Sequence, residues 1–183
     1  MRTARNGHPP AILWMTGLPA SGKSTLAFRM EHELFRRGYQ VCVLDGDDLR
    51  QGVSADLQYS RPDRAENIRR VGALAPLFAR AGFVVVVACI SPYQADREQA
   101  RRAAGATAFH EIHLNADVSV CEQRDQKNHY ARARAGEIPE FTGVSAPYEK
   151  PENCELVIDT GLLDIEQSVA RFLAYVEQHF PLS

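Results

Sequence analysis

Short runs of apolar residues, many of them β-branched, recur along the chain and are separated by longer segments of mixed polarity. Apolar runs of about four to eight residues that are rich in valine and isoleucine are typical of strands buried on both faces of a sheet. The pattern therefore predicts five strands, at residues 11–16, 40–45, 83–90, 109–114 and 155–160.

Between these runs, apolar residues recur at intervals of three and four, as in Ile68, Val71 and Ala75, which places them on one face of a helix. Helices are predicted over residues 23–36, 64–80, 94–104 and 164–177. Pro76 is expected to bend the second helix, because proline removes a backbone hydrogen bond. Strands that alternate with helices indicate an α/β fold: a mostly parallel five-stranded sheet covered by helices on both faces.

The chain has 183 residues, of which 45% are hydrophobic and 24% are charged, as is usual for one globular domain. We expect a flexible segment at residues 1–10 and a single domain at residues 11–183. One connection, residues 125–151, is long, polar and interrupted by glycine and proline. Such loops in compact domains are usually disordered or act as lids, and the embedded aromatic residues Phe141 and Tyr148 favour a lid.

Charge and hydropathy restrict the possible partners. The net charge of −2 gives no broad positive field, so we expect no nucleic-acid partner and a small-molecule substrate instead. The longest apolar run, at residues 83–90, is far too short to cross a bilayer, and residues 1–10 lack the apolar core of a signal peptide. We therefore expect no membrane association and a cytoplasmic location. The four cysteines form no CxxC pair and are expected to be reduced and structural.

The segment GLPASGKS, residues 17–24, fits the phosphate-loop pattern G-x4-G-K-[ST] and lies between a predicted strand and a predicted helix. Glycines allow backbone N–H groups to turn toward phosphate oxygens, and the helix N-terminus adds a partial positive charge. Lys23 can reach the β and γ oxygens, and the Ser24 hydroxyl can bind Mg²⁺. A chance match in a tight turn is the alternative, but both flanking elements are present.

Three classes of nucleotide enzyme share this loop: motor-like or AAA ATPases, GTPase switches and small-molecule kinases. The strand at residues 83–90 ends without the acidic residue of a typical ATP hydrolase, and the [NT]KxD motif of GTPases is absent. The segment VLDGDDLR instead places Asp45 and Asp47 at the end of a strand, where ligands of α/β sheets bind. One carboxylate could orient or deprotonate an attacking hydroxyl, and Arg50 could hold an anionic acceptor. A polar turn without function is the alternative.

Two further segments carry candidate residues. DRAENIRR, residues 63–70, puts Arg64, Asn67 and Arg70 on one side of a helix, although taken alone a solvated arginine-rich face is the more ordinary explanation. In ISPY, Ser91 follows a buried strand and precedes a proline, which is usually a turn at the start of a helix. No base adjoins Ser91 in the sequence, so we expect direct transfer of the phosphoryl group rather than a phosphoserine intermediate.

Taken together, GLPASGKST, LDGDDLR, DRAENIRR, ISPYQADR, CEQRDQK, ARAGEIPEFTG and PYEKP resemble the adenylylsulfate (APS) kinase family in order and spacing, from about residue 12 to residue 160. The resemblance implies a P-loop kinase fold that usually forms a homodimer. It also implies the reaction: transfer of the γ-phosphoryl group of MgATP to the 3′-hydroxyl of APS, giving 3′-phosphoadenylylsulfate (PAPS) and ADP.

The resemblance assigns roles to individual residues. The residues implied to bind ATP are Gly17, Leu18, Pro19, Ala20, Ser21, Gly22, Lys23, Ser24 and Thr25, with Arg124 and Lys127 in the lid. Ser24 and Asp45 would bind Mg²⁺. The implied catalytic residues are Lys23, Asp45, Asp47 and Ser91, the last at a position assigned as a phosphoserine in the family. The APS pocket would be lined by Asp45, Arg50, Tyr59, Arg64, Asn67, Ile90, Ser91 and Phe141. The arginines would offset the charge of APS. Tyr59 and Phe141 both lie in loops, where we expect their rings to face solvent and to be available to the adenine of APS.

The sequence also departs from the family. Tyr59 stands where the family usually has phenylalanine, and the lid reads RDQKNHY in place of RDPKGLY, with Gln126, Asn128 and His129 as the changes. Asn115 replaces a common aspartate. Two other functions stay open: a kinase for a different anionic acceptor or a sugar acid, and a nucleotide-binding regulatory module without catalysis.

Overall fold

The computed structural model describes residues 2–183. Its strands are β1 (Ala11–Thr16), β2 (Val41–Asp45), β3 (Val84–Ala88), β4 (Phe109–Asn115) and β5 (Leu156–Asp159). All four neighbouring pairs are parallel, in the order β2-β3-β1-β4-β5. The predicted five-stranded parallel sheet is therefore confirmed. The main difference is that β3 ends at Ala88, because the chain then turns out of the ladder toward Ser91.

The helices are α1 (Arg2–Asn6), α2 (Lys23–Arg36), α3 (Gly46–Arg50), α4 (Arg61–Arg80), α5 (Gln94–Ala104), α6 (Val118–Arg124), α7 (His129–Arg134) and α8 (Ile165–His179). The four long helices were predicted, whereas the four short ones have too few turns to show a periodicity. Helix α4 begins three residues before its predicted start, because the Ser60 side chain accepts a hydrogen bond from the Asp63 backbone and caps the helix. The helix continues through Pro76.

The sheet separates two apolar layers, which explains why its strands are apolar throughout. Leu13 and Met15 of β1 face α2 and α8, whereas Ile12 and Trp14 face α4 and α5. Trp14 is fully buried and stacks on Phe109 with 5.5 Å between ring centroids. Helices on both faces are thus confirmed, and the carboxyl ends of all five strands meet at one edge of the sheet.

The segment before β1, which we expected to be flexible, is folded against the domain. The Asn6 amide donates to Gly82 O at 3.0 Å. The buried His8 ring accepts a hydrogen bond from the Gln40 backbone at 2.9 Å and lies 5.0 Å from the Tyr39 ring. These contacts involve residues distant in sequence, so local composition could not indicate them.

The segment at residues 125–151 packs over the phosphate loop. It contains α7, and its apolar residues Tyr130, Ala133 and Phe141 form a cluster with Leu18 and Cys121. Across residues 2–183, no helix is long and apolar enough to cross a membrane.

Candidate active site

The phosphate loop connects β1 to α2 and has the backbone geometry that an anion site requires. Ala20 and Gly22 both have positive φ, 58° and 95°, so the chain turns back on itself before the helix. A side chain at Gly17 would lie 2.8 Å from Leu114 O, which explains the glycine. Thr160 Oγ1 donates to Ser21 O at 2.9 Å and braces the loop from the end of β5. Thr160 had no sequence signal as a supporting residue.

Lys23, the first residue of α2, folds back across the loop. Its Nζ donates to Gly17 O at 3.0 Å and to Leu18 O at 2.7 Å. Burial lowers the pKa of this amine from 10.5 to about 8, because the charged form loses its hydration. The amine is thus held at the centre of the loop, with partners that phosphate oxygens could replace.

Asp45 lies at the carboxyl end of β2, and its two oxygens have different partners. Oδ2 accepts from Ser24 Oγ at 2.6 Å, and Oδ1 accepts from the Asp47 backbone at 2.8 Å, which caps α3. A hydroxyl and a carboxylate together fit Mg²⁺, which prefers a few protein oxygens completed by phosphate and water. Among residues 2–183 there is no cluster of three or more His, Cys, Asp or Glu side chains that would instead form an all-protein metal site.

Two lid residues assigned to ATP lie on the outside of the site. Lys127 Nζ is 3.0 Å from Asp47 Oδ2, and this hydrogen bond raises the pKa of the lysine. Both side chains are largely exposed, so the ion pair contributes little stability and connects the lid to α3 only loosely. Arg124 is the exposed last residue of α6.

A second basic group of residues follows Asp45 along the chain and begins with Arg50 of α3. The guanidinium groups of Arg50 and Arg64 are 4.5 and 5.6 Å from the centroid of the Tyr59 ring. Arg64 is buried, which lowers its pKa, and it donates to Tyr59 O at 2.8 Å and to Glu140 O at 3.0 Å. Two cations and an exposed ring are thus brought together by α3, α4 and the loop between them.

Two polar residues of α4, Asn67 and Arg70, differ in whether other side chains of the protein already bond them. Asn67 is buried, and its Oδ1 has no hydrogen-bond partner, which leaves an acceptor available to a ligand. Arg70, which the sequence placed on the same face, instead pairs with Asp56 and Glu66. Arg70 is therefore part of the scaffold.

Ile90 and Ser91 form the turn after β3, next to the phosphate loop. Ser91 has a positive φ of 44° and is 1% exposed. Its Oγ accepts from Trp14 Nε1 at 3.0 Å and donates to Cys89 O at 3.2 Å. Thr16 Oγ1 donates to Ile90 O at 2.6 Å and holds the turn against β1. The hydroxyl of Ser91 thus belongs to the core hydrogen-bond network.

The two aromatic candidates differ in exposure. Tyr59 is 52% exposed, as expected for a ring that faces a ligand. Phe141 is only 7% exposed and packs edge-on against Tyr130, with 5.0 Å between ring centroids. Our expectation that both rings face solvent is therefore wrong for Phe141. Its contact with adenine remains a prediction.

Phosphate loops of this geometry occur in hydrolases as well as in kinases. Here the acidic tip of β2 bonds the phosphate loop through Ser24 and leads into α3, α4 and the loop between them, which carry two cations, an aromatic ring and an unpaired amide oxygen. A hydrolase, whose acceptor is water, has no need of this second group of residues. Fold and site together define a P-loop kinase.

The adenylylsulphate kinase family profile matches residues 9–159, and the chain belongs to this family. Adenylyl-sulfate kinase of Geotalea uraniireducens is 51% identical over 174 residues, which cover 95% of this chain and 84% of the relative. The probable adenylyl-sulfate kinase of Bacillus subtilis is 49% identical, with coverage of 95% and 88%.

Solved structures agree with this assignment. The Mycobacterium tuberculosis APS kinase in complex with AMPPNP and APS superimposes with a TM-score of 0.88 at 41% identity, and the match covers 92% of this chain and 99% of that one. A gluconokinase from Sinorhizobium meliloti reaches a TM-score of 0.62 at 19% identity, with coverage of 92% and 93%. The second likeness shows the shared fold alone.

Proposed function

We propose that the chain transfers the γ-phosphoryl group of MgATP to the 3′-hydroxyl of APS and releases PAPS and ADP. The observation that carries this proposal is the position of Asp45. Its carboxylate bonds Ser24 of the phosphate loop, which is suited to the donor, and caps α3, whose Arg50 belongs to the basic, aromatic group suited to an anionic nucleotide as acceptor. Family membership specifies which acceptor this is.

At the donor side, the backbone N–H groups of the loop and the amine of Lys23 bind the phosphates of ATP. When ATP binds, the Lys23 amine exchanges the carbonyls of Gly17 and Leu18 for phosphate oxygens. The ammonium group is then paired with a negatively charged group. Ser24 and Asp45 would hold Mg²⁺, which would neutralise charge on the phosphates. Arg124 and Lys127 of the lid complete the ATP site.

At the acceptor side, Asp45 and Asp47 orient the 3′-hydroxyl, and one of the two carboxylates accepts its proton. Arg50 and Arg64 offset the charge of the phosphosulfate, while the Asn67 Oδ1 accepts a hydrogen bond from APS. Tyr59, Phe141 and Ile90 line the adenosine pocket. Ser91 positions the turn and does not form a phosphoserine, because its hydroxyl faces Trp14.

Two wider properties belong to the same proposal. We expect a homodimer, as the family resemblance implies. One structural neighbour, from Thiobacillus denitrificans, is described as a hexameric APS kinase, so assemblies differ among relatives. Sedimentation velocity would report twice the mass of the chain for a dimer. We expect the protein to act in the cytoplasm, where ATP is available.

The proposed reaction is tested by ADP release with purified protein, MgATP and APS as the sole acceptor. Gluconate and unsulfated adenosine 5′-phosphate serve as competing acceptors, and Lys23→Ala serves as the inactive control. APS-dependent ADP release that the control lacks supports the proposal. Release with gluconate but not with APS would mean a kinase for another acceptor. ATP binding without any acceptor-dependent release would mean a regulatory module.

A further inference from the structure

Arg97, in the first turn of α5, is 2% exposed and has a partner for each side of its guanidinium group. Nε donates to Glu111 Oε1 at 2.6 Å, Nη1 to Ser91 O at 2.8 Å and Nη2 to Glu149 O at 2.9 Å. A buried guanidinium is tolerated only when its charge and its donors are satisfied. These three partners lie in three different segments, so one side chain joins parts of the molecule that are distant in sequence.

The first of these segments is the turn at Ser91, which lines the proposed acceptor pocket. A non-glycine residue with φ near 44° is strained and persists only where the surrounding structure holds it. The Ser91 carbonyl is held by Arg97 Nη1 and, at 3.3 Å, by Thr16 Oγ1. Arg97 therefore helps to keep Ile90 and Ser91 in their positions.

The second segment is the base of the lid, where the chain returns to the domain. The Glu149 backbone donates to Pro92 O at 2.8 Å, and the Glu149 carboxylate accepts from the Gln94 backbone at 2.7 Å. The bond from Arg97 to the Glu149 carbonyl adds a third contact. The end of the lid is thus attached to the same turn that lines the pocket.

The third segment, β4, supplies the anchor. Glu111 lies within the sheet and balances the buried charge of Arg97, and its other oxygen is 3.7 Å from Arg101. Arg101 also pairs with Glu155 at 2.7 Å. Since β4 is paired on both sides, by β1 and β5, the guanidinium is held against a rigid part of the fold.

We propose that Arg97 is a positioning residue that couples the lid to the acceptor pocket. It fixes the turn at Ser91 and the lid base at Glu149 to one strand, so that a displacement of one is transmitted to the other. None of its hydrogen bonds reaches the phosphate loop or the opposite end of the lid, where Arg124 and Lys127 lie, so Arg97 affects the binding of APS much more than that of ATP. This inference rests on the proposed function and adds a residue that contacts neither substrate.

Arg97→Lys is the test, because lysine keeps the charge beside Glu111 but cannot bond to both carbonyls in the geometry of a guanidinium. Arg101→Lys is the matched control, since Arg101 is one turn further along α5 and also bonds a carboxylate and a carbonyl, that of Phe109. Isothermal titration gives Kd values for APS and for a non-hydrolysable ATP analogue, below the melting temperature of each variant.

We expect Arg97→Lys to weaken APS binding by about tenfold or more, since small displacements of binding groups are costly. ATP binding should change by less than about twofold, and Arg101→Lys should change neither. Equal losses for both ligands, or a lower melting temperature with unchanged affinities, would overturn the proposal. If Arg97→Lys does not fold, Glu111→Gln, which keeps an acceptor for Nε, carries the same test with the same asymmetry expected.

A second measurement, which needs no acceptor, distinguishes failure of the Arg97 coupling from failure of the proposed function. Trypsin cleavage at the exposed lid residues Arg132 and Arg134 reports how firmly the lid is attached. Without substrates, Arg97→Lys should be cleaved several-fold faster than the wild type and Arg101→Lys at the wild-type rate. Equal rates in all three proteins would contradict the coupling whether or not APS proves to be the acceptor.

Discussion

Three buried polar side chains near the proposed active site differ in their hydrogen-bond partners. Lys23 donates to carbonyls of its own loop, the Ser91 hydroxyl is bonded to Trp14 and Cys89, and the Asn67 Oδ1 has no partner. A ligand can replace the partners of Lys23 and can supply the one that Asn67 lacks. To reach Ser91, it would first have to break the core network.

At the residue scale, the lowered pKa of Lys23 predicts that ATP binding takes up a proton in alkaline solution. Burial sets the pKa near 8 in the free protein, and phosphate oxygens raise it by favouring the charged amine. Below pH 8 the amine is already protonated, so little uptake is expected at pH 7. At pH 9 binding should take up nearly one proton, and the affinity for ATP should fall by up to about tenfold per pH unit above 8.

Calorimetry in two buffers of different ionisation enthalpy measures this uptake. Lys23→Ala is the control: it should show no uptake at pH 9, and its kcat should be lower by about 10² or more, because a preorganised charge is lost. Proton uptake that persists in Lys23→Ala would assign the effect to another group.

A second prediction at this scale concerns Ser91→Ala. The hydroxyl lies in the core network, so its loss should reduce the free energy of unfolding by about 1–2 kcal/mol. The value of kcat should stay within about fivefold of the wild type, because no phosphoserine is formed. Denaturant unfolding and steady-state kinetics check the two parts. Label from γ-labelled ATP that passes to product through Ser91 would refute direct transfer.

At the element scale, the lid is a folded segment built around α7, and its departures from the family lie at the start of that helix. Asn128 precedes α7 and has φ 53° and ψ 27°, a left-handed conformation that asparagine tolerates better than most non-glycine residues. Glycine, the usual residue of the family at this position, can adopt this conformation freely. The change to asparagine therefore preserves the backbone of the lid.

This explanation predicts the effects of two substitutions at position 128. Asn128→Gly should leave the melting temperature and kcat close to those of the wild type. Asn128→Val should destabilise the lid by about 1–2 kcal/mol, because a β-branched residue is strained at positive φ. Hydrogen exchange of the α7 amides measures the difference. Equal protection in both variants would show that the conformation of residue 128 does not hold the lid.

Substitutions at Phe141 test whether the lid contacts the adenine of APS. If its ring closes over the adenine of APS, Phe141→Ala should weaken APS binding by about 5- to 150-fold, with much less effect on ATP. Phe141→Leu is the sharper variant, because it keeps apolar volume beside Tyr130 and Leu18 but removes the flat ring. We expect Phe141→Leu also to weaken APS binding. Wild-type affinity in Phe141→Leu, with loss of both ligands in Phe141→Ala, would make Phe141 a packing residue only.

At the scale of the whole molecule, the order of the strands creates the active site. Strand β3 lies between β2 and β1, yet Asp45 at the end of β2 reaches Ser24 at the start of α2 with 2.6 Å between oxygens. Donor and acceptor sites therefore meet at Asp45 because all strands are parallel and end at the same edge. The departure from the family at Asn115 lies at this same edge. The Asn115 amide donates to Asp159 at 3.0 Å, whereas the aspartate common in the family would place two carboxylates together.

Asp45→Asn tests this arrangement with little change of shape. Asparagine keeps an oxygen that can accept from the Asp47 backbone, so α3 should remain capped. The loss of charge should lower kcat by about 10² or more and raise the Mg²⁺ concentration needed for activity, while the Kd for APS changes little. Kinetics over a range of Mg²⁺ and direct titration with APS separate these effects. Collapse of APS binding with unchanged kcat would make Asp45 a structural cap.

Much of the fold and site could be predicted from the sequence, because the relevant signals are contiguous. The phosphate loop at residues 17–24 is a continuous segment between a strand and a helix, and the apolar runs show the strands directly. Short helices such as α3 and α7 were not predicted, since they are set by local capping and packing and have too few turns for a periodicity. The folded N-terminal segment was missed for a related reason: its contacts are with Gln40 and Gly82.

The sequence by itself determined the class of fold, the phosphate loop and the polar residues at the strand ends, because each depends on neighbours along the chain. Only the tertiary structure decided which of these residues act together. It paired Asp45 with Ser24, turned the Ser91 hydroxyl toward Trp14, buried Phe141 in the lid and joined the lid to the pocket through Arg97. The physical reason is that a side chain's hydrogen-bond partners and burial depend on segments brought together by the sheet. These lie 77 residues apart for Trp14 and Ser91, and 139 residues apart for Thr160 and Ser21.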